Sequence, residues 1–147
     1  MAINNHAILM ITGLIAAFAA CSANALEYRC ELENQLVVNS QNDVVEMKNG
    51  SDTMSFSIID IDADSKTARL VANVGSANIY AFETGAGFNF VEITGGGSAH
   101  VLSVDRANKL TAPGNFGTAR PATYSRQTHM FDGTITTFYV GKCMELS

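Results

Sequence analysis

The amino-acid sequence predicts an all-β fold, an antiparallel meander of eight or nine strands forming a barrel or a sandwich, with its terminal strands joined by a disulfide. Three observations carry this expectation. Short runs rich in β-branched and aromatic residues recur at a spacing of about 8–12 residues. Glycine-rich or acidic turns separate them. No run shows the apolar period of an amphipathic helix.

The first expected strand is Glu27 to Leu32, where Tyr28, Cys30 and Leu32 alternate with Glu27, Arg29 and Glu31. Such alternation marks a strand with one buried and one wet face. Val44 to Lys48 runs into Asn49-Gly50 and then Met54 to Ile58. Asn-Gly supplies the positive φ of a tight hairpin turn, so these two runs are expected to pair. Asp62 to Lys66 turns the chain into Thr67 to Val74. Asn78 to Phe82, Phe88 to Ile93 and Ala99 to Val104 follow, separated by Thr84-Gly85-Ala86-Gly87 and Gly95-Gly96-Gly97-Ser98. After Asp105 the pattern breaks into an irregular segment reaching about Pro121, and two final strands end at Cys143.

Residues 1–25 have the form of an export leader. Ala7 to Ala20 is an apolar run of 14 residues, shorter than the roughly 20 a membrane-spanning helix requires. Ala23-Asn24-Ala25 places small residues at a cleavage site, although no Lys or Arg precedes the apolar run. Cleavage there leaves 26–147 as a single β-rich domain and discards Cys21. Phe18-Ala19-Ala20-Cys21 also resembles the box before the lipidated cysteine of bacterial lipoproteins, which would tether the protein to a membrane through Cys21. Cleavage after Ala25 is the preferred reading, with a periplasmic or secreted product. Cys30 and Cys143 then remain, and an oxidising compartment pairs them.

Composition narrows the function classes. Nine basic against 14 acidic residues leave a net charge of −5, which argues against general nucleic-acid binding. Asp60-Ile61-Asp62-Ala63-Asp64 opens like a calcium loop, but Ser65 and Val71 stand where that loop needs Gly and Glu. The glycine turns lack the following helix of a phosphate cradle. His100 and His129 have no metal-ligand spacing, and no Gly-x-Ser-x-Gly is present. The sequence therefore implies no metal, no cofactor and no catalytic constellation.

One charge asymmetry stands out. Arg106, Lys109, Arg120 and Arg126 fall within a stretch free of Asp and Glu, which also holds Phe116 and Tyr124. A long loop of that composition is a candidate surface for an anionic ligand or an acidic partner.

Two resemblances add to this. "YRCE" after the leader, "AHVLSVDR", "ARPATYSRQTHMF" and "TTFYVGKC" together resemble a loose group of small exported bacterial proteins with a Cys near each end. That resemblance implies an exported β-rich domain and no particular activity. "YRCE" also resembles the first strand of the periplasmic and lipoprotein inhibitors of C-type lysozyme, which are eight-stranded barrels. Ser76-Ala77-Asn78-Ile79-Tyr80 resembles their inhibitory loop, with Ala77 in place of its Gly. This second resemblance implies an inhibitor acting through the Ser76–Tyr80 loop. The leading expectation is a non-catalytic exported module that binds a protein or small ligand. Its rivals are the inhibitor and a hydrolase using His100 or His129, which would need a clustered pair of these His with a carboxylate in a pocket.

Overall fold

The computed structural model describes residues 26–41, 44–110 and 118–146. The described residues form nine strands: β1 Glu27–Gln41, β2 Val44–Lys48, β3 Thr53–Asp62, β4 Thr67–Ala72, β5 Gly75–Thr84, β6 Gly87–Ile93, β7 Ala99–Asp105, β8 Thr118–Met130 and β9 Gly133–Leu146. All pairings are antiparallel. β1 pairs with β3, each strand from β3 to β8 pairs with the next, and β9 returns to β1. Eight strands therefore close into a barrel, which decides between barrel and sandwich and leaves the barrel itself without edges. The expected leader and both expected fates of Cys21 fall on residues 1–25, outside the described residues.

Alternation fills the barrel. Tyr28, Cys30 and Leu32 of β1 point inward with Phe56 and Ile58 of β3, Phe88 and Phe90 of β6, and Leu102 and Val104 of β7. Tyr28 meets the edges of Phe88 and Phe90 at ring-centre distances of 6.3 and 6.1 Å. Ala68, Ala81 and Ala122 are buried among these larger side chains. Large and small residues thus interdigitate in a barrel too narrow for eight rows of aromatics.

The closing seam carries the disulfide. Cys30 lies directly opposite Cys143 in the β1–β9 ladder, and both are fully buried. The bond joins residues 113 apart in sequence. It belongs with an oxidising environment, extracellular or periplasmic.

The structure corrects the expected role of Asn49-Gly50. β2 and β3 do not pair with each other. Both run antiparallel to β1, β2 along Val37–Gln41 and β3 along Tyr28–Glu33. Residues 49–52 bridge the two, opposite an irregularity in β1 between Asn34 and Leu36. Gly50 is not among the residues with positive φ. Its lack of a side chain serves another end, since a Cβ there would lie 1.9 Å from the Asn34 Oδ1.

Two further boundaries differ from expectation. β8 begins at Thr118, so Pro121 lies within a strand rather than closing an irregular segment. The proline is tolerated because the β7 ladder ends one residue away, at Val104↔Ala122. Ser76 to Tyr80 is also strand, paired residue by residue with Val71 to Thr67, rather than loop.

The strands are unequal in length, and this shapes one end of the molecule. The later halves of β1 and β8, the first part of β9, and β2 extend past the other strands as a four-stranded wall, in the order β8-β9-β1-β2. The wall stands beside the barrel end marked by the β6–β7 turn.

Candidate functional site

The two ends of the barrel differ chemically. At the end where β5, β7 and β9 finish, inward residues are charged and paired. Arg106 meets Glu83 at 3.0 Å, and Arg120 meets Glu145 at 2.9 Å. Arg120 also donates to the Arg106 carbonyl, while the Arg106 guanidinium lies 5.5 Å from the centre of the Phe88 ring. Beneath this lid the Tyr28 hydroxyl is buried with no hydrogen-bond partner among the described residues. Desolvation, reinforced by the nearby Glu145 charge, pushes its pKa up to about 12. Ion pairs close this end.

The other end is open. The Thr94–Ser98 turn, in which the Ser98 N–H donates to the Thr94 Oγ1, brings Ile93 opposite Ala99. Counting back from that pair puts Glu92 opposite His100, and the next ladder puts His100 opposite Arg126. Three polar side chains from β6, β7 and β8 therefore share one level of the inner wall. His100 Nδ1 lies 2.8 Å from Glu92 Oε2, with both side chains largely buried. One level deeper, Tyr124 packs against His100, Phe56 and Tyr139 at 5.8–6.1 Å between ring centres. Burial pushes the Tyr124 hydroxyl up to about 12, and the Glu92 carboxylate acts in the same direction.

The facing wall is apolar. Met54 and Phe56 of β3, Leu70 and Ala72 of β4, and Ala77 of β5 line the far side of a cavity of about 490 Å³. The mouth thus combines an apolar floor with a polar row on one flank. The Arg126 guanidinium, unlike those of Arg106 and Arg120, has no ion pair or hydrogen bond among the described residues, and the residue is exposed. Two other hollows lie on the outer wall around Leu110.

The residues singled out in the sequence do not come together as one loop. Arg106 and Arg120 belong to the ion-paired end, and Arg120 is only 7% exposed. Lys109 is exposed between β7 and β8, and Phe116 lies outside the described residues. Tyr124 and Arg126 sit on β8 at the open mouth. The chain therefore divides these cations between two ends. Ser76 borders the mouth beside the β4–β5 turn, whereas Tyr80 is 54% exposed on β5.

The histidines also separate. His129 lies on the extended wall, with Nδ1 3.2 Å from Thr134 Oγ1. His100 does have a carboxylate in a pocket, but among the described residues no hydroxyl or thiol is hydrogen-bonded to it. The Asp62 carboxylate accepts the backbone N–H groups of Asp64 and Ser65, making a turn of the would-be calcium loop. No group of three or more His, Cys, Asp or Glu side chains is placed to hold a metal among the described residues.

The mouth of a disulfide-closed β-barrel is thus the site with convergent chemistry. No protein-family model, curated protein or solved structure matches the chain.

Proposed function

We propose that the chain is an exported, non-catalytic binding barrel that takes a small acidic amphiphile into its open mouth. The observation that carries this is the position of Arg126 above an apolar cavity. The cations at the closed end already have carboxylate partners, and Glu92 is already engaged by His100. Arg126 is left to meet an incoming anion, and a guanidinium grips a carboxylate with two parallel hydrogen bonds. Met54, Phe56 and Leu70 would receive the apolar tail. A volume of about 490 Å³ is within the ordinary range of small-molecule sites, and barrel mouths are among their usual places.

Export is supported by the apolar leader and by the buried disulfide, and places the protein in the periplasm or outside the cell. The Glu92 carboxylate and the Tyr124 ring hold the His100 imidazole in the wall of the mouth, which supports a structural part for it in a binding site.

Decanoate is a suitable probe, with a carboxylate head and an apolar chain. Isothermal titration should give saturable one-site binding to the oxidised protein. Arg126→Gln should weaken it at least tenfold, while Lys109→Gln should leave it unchanged. No saturable binding, or equal binding by the Arg126 variant, would overturn the reading.

A further inference from the structure

We infer that β2 is a self-complementary edge through which two copies of this chain pair as a dimer. Among the described residues β2 pairs only with β1, so its outer edge is open at the end of the sheet. Every residue of the strand is exposed. An open edge of this kind is a template for another strand. The inference stands apart from the ligand reading, because it uses the opposite flank of the wall.

The sequence of the strand selects its partner. In a two-fold antiparallel pair each copy presents the same face, so directly opposed residues must have the same parity. A register centred on Glu46 would set the two Glu46 carboxylates against each other. Centred on Met47, the register sets Glu46 against Lys48 of the second copy and repeats that pair by symmetry. Like charges directly opposite destabilise a ladder, and opposite charges support it. Within one copy Lys48 and Glu46 already share a face and lie 3.3 Å apart, both well exposed. Association exchanges the weak local pair in each copy for a pair across the edge, two for two, and adds the ladder between the strands.

The other face of the wall agrees. Val38 lies opposite Met47, and Leu36 opposite Phe138, so these side chains and Val45 project from one side. Met47 is 71% exposed and Val45 is 65% exposed. In the register centred on Met47 the two methionines become neighbours and join the two stripes into one. A natural edge is often guarded by an unmatched Lys. Here Lys48 is matched by Glu46 two residues away, which suits a copy of itself better than a neutral extended peptide.

A five-residue edge makes a weak, concentration-dependent dimer. Sedimentation equilibrium up to about 1 mM should show the mass rising toward twice that of the monomer. Glu46→Lys places Lys against Lys twice, and dissociation should become at least tenfold easier. Glu46→Lys with Lys48→Glu restores both pairs and should restore association. Circular dichroism confirms the fold in each case, which the exposure of β2 should preserve. A monomer at all concentrations, equal association by Glu46→Lys, or failure of the double exchange to rescue would each overturn the proposal.

Discussion

Removing the Cys30–Cys143 bond should cost a large share of the stability of this barrel. The double variant Cys30→Ala/Cys143→Ala is the cleanest perturbation, because it leaves no unpaired thiol in the core. The bond closes a loop spanning 113 positions. In the chain-entropy treatment a loop of that length restricts the unfolded chain by about 5 kcal/mol at 25 °C. Residual order in the unfolded chain reduces the observed effect, so a loss of about 2–5 kcal/mol is expected. The position of the bond sharpens this. β1 and β9 are the strands whose pairing closes the barrel, and they lie near opposite ends of the chain. Without the bond, closure must find that pairing by diffusion from a fully open chain. Domains of this size have about 5–15 kcal/mol in total, so the variant should be marginal. Urea unfolding followed by far-ultraviolet circular dichroism measures the difference, with the slope checked for a more expanded unfolded state. Cys30→Ser and Cys143→Ser alone should be about equally damaging. A loss below about 1 kcal/mol would refute the reasoning, since the seam would then hold without its bond.

Two further outcomes follow from the ends of the barrel. Arg120→Ala should cost about 3–5 kcal/mol in the same unfolding assay, because it strands Glu145 in a largely buried site, while exposed Lys109→Ala should change stability by less than about 0.5 kcal/mol. Tyr28 and Tyr124 should ionise near pH 12 in an alkaline titration of phenolate absorbance, and Tyr124→Phe should remove one of those late steps. Their folded pKa values lie above the unfolded value of 10.0, so the stability they contribute is complete below pH 10 and is lost as pH rises from 10 through 12.

The fold was legible because its determinants are local. Alternation in Tyr28, Cys30 and Leu32 gives an inward face, and the turn of Gly95 to Ser98 gives a hairpin. Asn49-Gly50 misled because the same dipeptide that favours a hairpin also suits a close approach. What decides between them is Asn34, an element away in sequence, whose side chain fills the space beside Gly50. The charged stretch from Arg106 to Arg126 misled for a related reason. Pro121 reads as a strand breaker until the neighbouring ladder is known to end beside it. Once Thr118–Met130 is a strand, successive inward residues carry Arg120 to one end of the barrel and Arg126 to the other.

The polar row at the mouth was only half hidden. A tight turn at Thr94–Ser98 is enough to set Glu92 against His100, because pairing counts outward from it residue by residue. Arg126 cannot be added that way. Its register with β7 crosses a connection containing residues 106–117, and a connection of that length does not fix a register as a tight turn does. The apolar far wall comes from β3, β4 and β5, and only closure through β1 and β9 turns it to face the polar row.

The central claim is that the open mouth, rather than the outer wall or the closed end, is where this barrel binds. Amide chemical shifts of the isotope-labelled oxidised protein, recorded as decanoate is added, test it most directly. The account predicts saturable shifts concentrated at Met54, Leu70, Glu92, His100 and Arg126, with Glu83, Arg106 and Glu145 unmoved. Shifts confined to the closed end or to the wall around Leu110, or none at all, would contradict it.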